Sequence, residues 1–173
     1  MVEEMTVSLR DAREHADDRA WIESVYRDYL DDLHTRRTGL FPVLGALGMG
    51  ETHQVQTWLA DRDAVLLAIL DHGQRAGFAL VVKQRNGPVD HRLVEFFITR
   101  KQRRRGLGRA AARLIFDRFA GRWEVVQDSG NRNAIAFWRN VLAAYTRGDY
   151  RERSAHGEVR QYFSSGRTNT NKG

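Results

Sequence analysis

Residues 91–109 read HRLVEFFITRKQRRRGLGR. His91 to Thr99 carries apolar residues on both alternating faces, the pattern of a central strand covered on each side. Arg100, Lys101, Arg103, Arg104, Arg105 and Arg109 follow with no anion among them. From Leu107 onward Ala110, Ala111, Leu114, Ile115 and Phe119 recur at helical spacing, and the helix ends near Gly121. The unit is a strand, a basic turn with two glycines, then a helix. A helix start offers unpaired backbone amides and a partial positive charge, and glycines let a bulky anion approach that backbone. Arginines add forked, charge-assisted donors suited to phosphate oxygens. The bland alternative is a solvated basic turn, and the glycines Gly106 and Gly108 argue against it.

Charge balance across the whole chain supports a local ligand. Lys plus Arg number 28 and Asp plus Glu 22 among 173 residues, an excess of +6. The six cations of residues 100–109 account for all of it, leaving the remainder balanced. A globally basic surface would suggest nucleic acid or membrane, whereas one basic knot suggests a discrete anionic ligand. With 42% hydrophobic and 29% charged residues, the composition is that of a soluble domain with a proper core. We expect one domain over residues 1–164 and a flexible tail over 165–173. Cysteine is absent, which excludes disulfides and thiolate nucleophiles and makes the cytoplasm the expected location. The acidic start lacks a signal peptide's basic and apolar segments, and no stretch is long enough to span a bilayer, so neither export nor membrane insertion is expected.

The other elements follow by periodicity. Thr6 to Arg10 reads as a strand, and Trp21, Ile22, Val25, Tyr26, Tyr29, Leu30 and Leu33 mark a helix over Asp17 to Leu33, with Asp17 or Asp18 accepting from its first amides. Thr35 to Gly50 holds Gly39, Pro42, Gly45, Gly48 and Gly50 and reads as a flexible connection, followed by a short helix over His53 to Ala60. Ala64 to Leu70 and Ala76 to Gln84 form a hairpin through residues 71–74. Trp123 to Gln127 is a strand, Asn131 to Val141 a helix, and Ala144 to Arg153 with Gly157 to Ser164 a closing strand pair. This order describes a mixed α/β sheet with helices on its faces.

Two phosphate motifs are excluded or weakened by spacing. Arg109-Ala110 stands where a Walker A loop needs lysine and serine or threonine. Gly106-x-Gly108-x-x-Ala111 satisfies a relaxed dinucleotide fingerprint, but that motif directly follows the strand opening a parallel βαβ unit. Here mostly cationic residues intervene after two antiparallel hairpins.

With Phe96-Phe97-Ile98 ending the strand and Arg103-Arg104-Arg105-Gly106-Leu107-Gly108 following, the sequence resembles the GNAT superfamily of acyl-CoA-dependent N-acetyltransferases. The family's pyrophosphate motif is glutamine or arginine, two residues, glycine, one residue, then glycine or alanine. A second family segment is matched by Asn131-Arg132-Asn133-Ala134 and the aromatic pair Phe137-Trp138. The likeness extends over the element order from Thr6 to Ser164, in layout only for the first third. It implies a mostly antiparallel, splayed central sheet with helices on both faces. It also implies acetyl-CoA as co-substrate, held by Arg103, Arg104, Arg105, Gly106, Leu107, Gly108 and Arg109. Asn131 would bond the pantetheine or cap its helix, and Phe137 and Trp138 would be core or cofactor-wall rings. Backbone amides near Phe97 and Ile98 would steady the acyl oxygen.

The implied reaction is direct attack of a neutral amine on the thioester. Glu95, in the apolar run LVEFFI, is the candidate base, with a structural pairing to an arginine as its alternative. Many family members have tyrosine at the position of Trp138 as the acid for the departing thiolate. An indole N–H is no usable acid, so Tyr145, water or no acid takes that role. A thiol pKa of about 8.5 makes thiolate a tolerable leaving group. Asp28, Asp31 and Asp32 on the first helix could attract a cationic acceptor, although a solvated face explains them more simply. The six histidines show no metal spacing, and no metal is expected. The expected partner is a small-molecule or peptide amine, with no nucleic acid or membrane, and the last strands are a candidate homodimer surface. The competing readings are a non-catalytic acyl-CoA sensor and a nucleic-acid binder on a degenerate scaffold.

Overall fold

A computed structural model describes residues 6–35 and 51–166. In chain order they form β1 (Val7–Asp11), α1 (Ala16–Thr35), α2 (Glu51–Ala60), β2 (Ala64–Asp71), β3 (Gln74–Lys83) and β4 (His91–Ile98). Then come α3 (Leu107–Arg118), β5 (Gly121–Asp128), α4 (Arg132–Thr146), β6 (Arg151–Ala155) and β7 (Glu158–Ser165). The connection expected over Thr35 to Gly50 falls, after Thr35, outside the described residues, as do residues 167–173 of the tail and the side chains of Asp28, Asp31 and Asp32.

The strands lie in one seven-stranded sheet of order β1-β2-β3-β4-β5-β7-β6. Every neighbouring pair is antiparallel except β4–β5. Parallel neighbours need a crossover connection, and α3 supplies it. That parallel pairing covers only His91–Leu93 against Trp123–Val125, while β4 continues to Ile98 and β5 to Asp128. The two central strands therefore diverge towards their C-terminal ends and open a gap in the sheet.

Burial on both faces explains why β2 and β3 are apolar throughout. Leu67, Ile69, Ala79 and Val81 pack with Ala111, Ile115 and Phe116 of α3 and Trp138 and Leu142 of α4. Leu66, Ala68, Phe78 and Leu80 pack on the other face with Ile22 and Tyr26 of α1 and Val55 and Trp58 of α2. Each Leu, Ile, Val or Phe side chain so buried contributes about 1.5–3 kcal/mol.

One irregularity decides what β4 presents to each face. Leu80 pairs with Glu95 while its neighbour Val81 pairs with Leu93, leaving Val94 as the extra residue of a bulge. Strict alternation would place Leu93, Glu95 and Phe97 on one side. Instead Leu93 belongs to the α3/α4 core and Phe97 to the α1/α2 core. The bulge turns Glu95 over to the α1 side.

Two sequence expectations are corrected. Ala144 does not begin a strand: α4 runs on to Thr146 and ends on Arg147 at φ 55 and Gly148 at φ 84, so β6 starts only at Arg151. Ala143 and Ala144 are strong helix formers, and the left-handed cap after them sets the boundary. Asp18 does not serve the first amides of α1. It is fully buried and accepts from Arg10 at 2.5 and 2.6 Å and from Arg75 at 2.7 Å, tying α1 to β1 and β3.

Candidate active site

The basic turn begins as a 3-10 turn over Arg100–Gln102 and reaches α3 through Arg104 at φ 63 and Gly106 at φ 79. Gly106 stands at the helix N-cap, where no side chain caps the first turn. The first intrahelical bond runs from Ala110 N to Gly106 O at 3.1 Å. The amides of Leu107, Gly108 and Arg109 precede it and have no acceptor within the helix. Leu107 is buried in the α3/α4 core, so its side chain anchors the turn.

The arginines of this turn divide by role. Arg104, Arg105 and Arg109 are exposed and, with Lys101, make no ion pair among the described residues. Among the described residues Arg105 reaches the Gln102 amide oxygen, at 3.5 Å. Arg103 behaves otherwise: its Nε donates to Ile98 O at 2.8 Å and its guanidinium lies 5.5 Å from the Phe97 ring centre. It lies back against β4. Gly108 also has a packing role. A Cβ there would meet the Phe137 ring at 3.1 Å, so this glycine serves the close approach of α3 to α4, while Gly106 serves the turn.

Backbone register indicates which β4 amides face the gap. Thr99 N donates to Ala76 O at 2.8 Å, which makes that pair hydrogen-bonded. Alternation then directs Phe97 towards its β3 partner Phe78, and Phe96 and Ile98 away from β3. Arg103 taking the Ile98 carbonyl from the gap side agrees with this. Of the two amides expected to serve the acyl oxygen, Ile98 points into the gap, and Phe97 instead belongs to the β3 ladder.

Glu95 is 3% exposed. Its hydrogen-bond partner among the described residues is the hydroxyl of Tyr29 on α1, not an arginine. Burial pushes its carboxyl up to about 7, and the Tyr29 hydrogen bond opposes that rise. Burial and the neighbouring Glu95 also raise Tyr29 well above the ordinary phenol range, keeping it a donor. Tyr29 is the site residue that periodicity alone did not single out. The available signal was a polar-tipped ring within the inward stripe of α1.

The α4 residues separate in the same way. Asn131 caps α4, its Oδ1 accepting from Ala134 N at 3.1 Å, which is the capping alternative of its two expected roles. Phe137 stacks on Phe96 with ring centres 5.9 Å apart, and buried Trp138 meets Phe96 edge-on at 5.0 Å. Tyr145 is not brought to Glu95. It lies on the α3/α4 face, donates to Asp117 at 2.7 Å and packs on Phe116 and Phe163. Burial first, and Asp117 second, raise its hydroxyl well above the ordinary phenol range, making it a poorer acid.

An open amide turn thus follows a diverging strand that carries a buried carboxyl. The acetyltransferase (GNAT) family model matches residues 22–142. An acetyltransferase from Thermus thermophilus superimposes with a TM-score of 0.64 at 17% identity, over 92% of this chain and 97% of that one. Aminoglycoside 6'-acetyltransferase type Ii gives 0.64 at 12% identity, over 92% and 97%. The ribosomal-protein-S18-alanine N-acetyltransferase from Escherichia coli gives 0.55 at 13% identity, over 96% and 99%. No curated protein sequence matches the chain. The chain belongs to the GNAT acetyltransferase family. Among the described residues no helix is long and apolar enough to cross a membrane.

Proposed function

We propose that the protein transfers an acetyl group from acetyl-CoA to a primary amine of a small molecule or peptide, by direct attack and within one domain. The observation that carries this reading is the pairing of two features of β4: an amide turn open at its end, and a buried carboxyl on its α1 face. The amides of Leu107, Gly108 and Arg109 and the side chains of Arg104, Arg105 and Arg109 suit a diphosphate. When bound, acetyl-CoA supplies a thioester, to whose acyl oxygen the Ile98 amide, facing the gap, would donate.

Glu95 takes the proton. A lysine-like amine, with a pKa of about 10.4, arrives protonated and must be neutralised before it attacks. An ordinary carboxylate is too weak a base for this, whereas one raised to about 7 is matched to neutral pH. Glu95 takes one proton from the ammonium directly or through water, the neutral amine adds to the thioester carbon, the C–S bond breaks as the carbonyl re-forms, and the second amine proton is lost to solvent as the thiolate leaves. With a thiol pKa of about 8.5 no acid is required, so neither Trp138 nor Tyr145 enters the reaction. The absence of cysteine fits a route without a thiol intermediate and a cytoplasmic location.

Release of free thiol from acetyl-CoA with a panel of amines tests the proposal. Amine-dependent release is expected, with Glu95→Gln lowering kcat/KM by about 100-fold and removing the acidic limb near pH 7. Unchanged kinetics in Glu95→Gln would remove Glu95 from the reaction.

A further inference from the structure

We infer that Tyr29 is a positioning residue for acetyl transfer: its hydroxyl holds one oxygen of Glu95 so that the other faces the amine. The inference rests on the proposed reaction and adds the element that aims its base.

The geometry comes from two independent parts of the chain. The bulge at Val94 rotates Glu95 onto the α1 side, where strict alternation would not put it. On that side the Tyr29 ring is held by three others, with ring centres 5.4 Å from Phe97, 5.6 Å from Phe78 and 5.8 Å from Tyr26. A ring so enclosed has one place for its hydroxyl. That hydroxyl donates to Glu95 Oε2, and Oε1 accepts from no described residue. A carboxylate held at one oxygen loses its freedom to rotate, leaving the second oxygen at a fixed position and direction.

The surroundings make this contact influential. Leu80 of β3 pairs with Glu95 across the ladder and belongs, with Phe78, Phe97, Tyr26 and Trp58, to the α1/α2 core. Among the described residues, the titratable or charged groups on this face include Tyr29 and Tyr26 from α1, Arg103 above the Phe97 ring and, near the start of α1, Asp18 held by Arg10 and Arg75. Burial is the larger influence on the carboxyl and the Tyr29 hydrogen bond the one that favours its charged form. Removing the hydroxyl must therefore move the titration upward.

Tyr29→Phe keeps the ring and deletes the hydroxyl. The acidic limb of its kcat/KM profile should rise by about one pH unit and its plateau should fall about tenfold. Affinity for acetyl-CoA should stay unchanged. Glu95→Gln should lack that limb, and Tyr29→Phe/Glu95→Gln should be no slower than Glu95→Gln alone. If Tyr29→Phe leaves the limb in place while Glu95→Gln abolishes it, Tyr29 does not position the base, although the base itself stands. If Glu95→Gln keeps both limb and rate, the base reading fails and this inference with it. Should Tyr29→Phe fail to fold, 3-fluorotyrosine at position 29, a stronger donor, should shift the limb downward. An unmoved limb there overturns the inference.

Discussion

A Cβ built on Gly77 of β3 would lie 2.1 Å from the carbonyl oxygen of Phe97 on β4. Backbone cannot yield there as a flexible side chain would, so the pair sets the separation of the strands beside Glu95 and Ile98. Gly77→Ala should force β4 away, cost about 2 kcal/mol and lower acetyl transfer at least roughly tenfold through misplacement. Thermal unfolding with steady-state kinetics checks both. Wild-type stability and rate would show that β4 is not held by this contact.

Glu95 also leaves a mark on stability. Its folded carboxyl, at about 7, stands above its ordinary 4.5. For a group raised on folding, the contribution is fully present below the unfolded value and is lost as pH rises through the folded one. The wild type should therefore lose stability between about pH 4.5 and 7, by up to roughly 3 kcal/mol. Glu95→Gln, which cannot ionise, should gain on the wild type across that window. Urea unfolding at pH 4 and pH 8 measures the difference.

Asp18 works in the opposite sense. Its carboxylate, fully buried between Arg10 and Arg75, titrates below the ordinary aspartate range, chiefly through the Arg10 hydrogen bonds. A lowered group contributes stability that is present above the unfolded value and lost as pH falls through the folded one. Asp18→Asn should cost about 3 kcal/mol at pH 7, with a deficit that narrows below about pH 4 as the wild-type carboxylate itself protonates. Denaturant titrations at both pH values test this.

Much of this was legible in the residues themselves. The β4–turn–α3 unit follows from period-two apolarity, six clustered cations and the Gly106/Gly108 spacing, all local signals. The bulge at Val94 was not legible, because it depends on how β3 registers against β4 and leaves no mark in the run LVEFFI. Without it the face presented by Glu95 is ambiguous, and its Tyr29 partner, 66 residues away, is unidentifiable. The contacts of Arg103 with Ile98 and the close approach of Phe137 to Gly108 were not legible either, since a motif records residue type and not packing. The end of α4 was readable in principle from Arg147-Gly148, a left-handed stop that outweighs the β-branched and aromatic residues nearby.

The two glycines of the turn should respond differently. Gly106→Ala places a side chain at φ 79 and should cost about 1 kcal/mol while weakening acetyl-CoA binding. Gly108→Ala asks only that the Phe137 ring give by a few tenths of an ångström, and should disturb packing more than affinity. Parallel melting and binding curves for the two variants separate these effects.

Calorimetric titration of the intact protein with acetyl-CoA tests the phosphate-binding turn most directly. Saturable binding in the micromolar range is expected. Combined Arg104→Ala, Arg105→Ala and Arg109→Ala should weaken it about tenfold or more, whereas Arg122→Ala, whose guanidinium is held by Asp90, should leave it unchanged. Absence of heat from the wild type, or equal affinity in the triple variant, would contradict the role given to this turn.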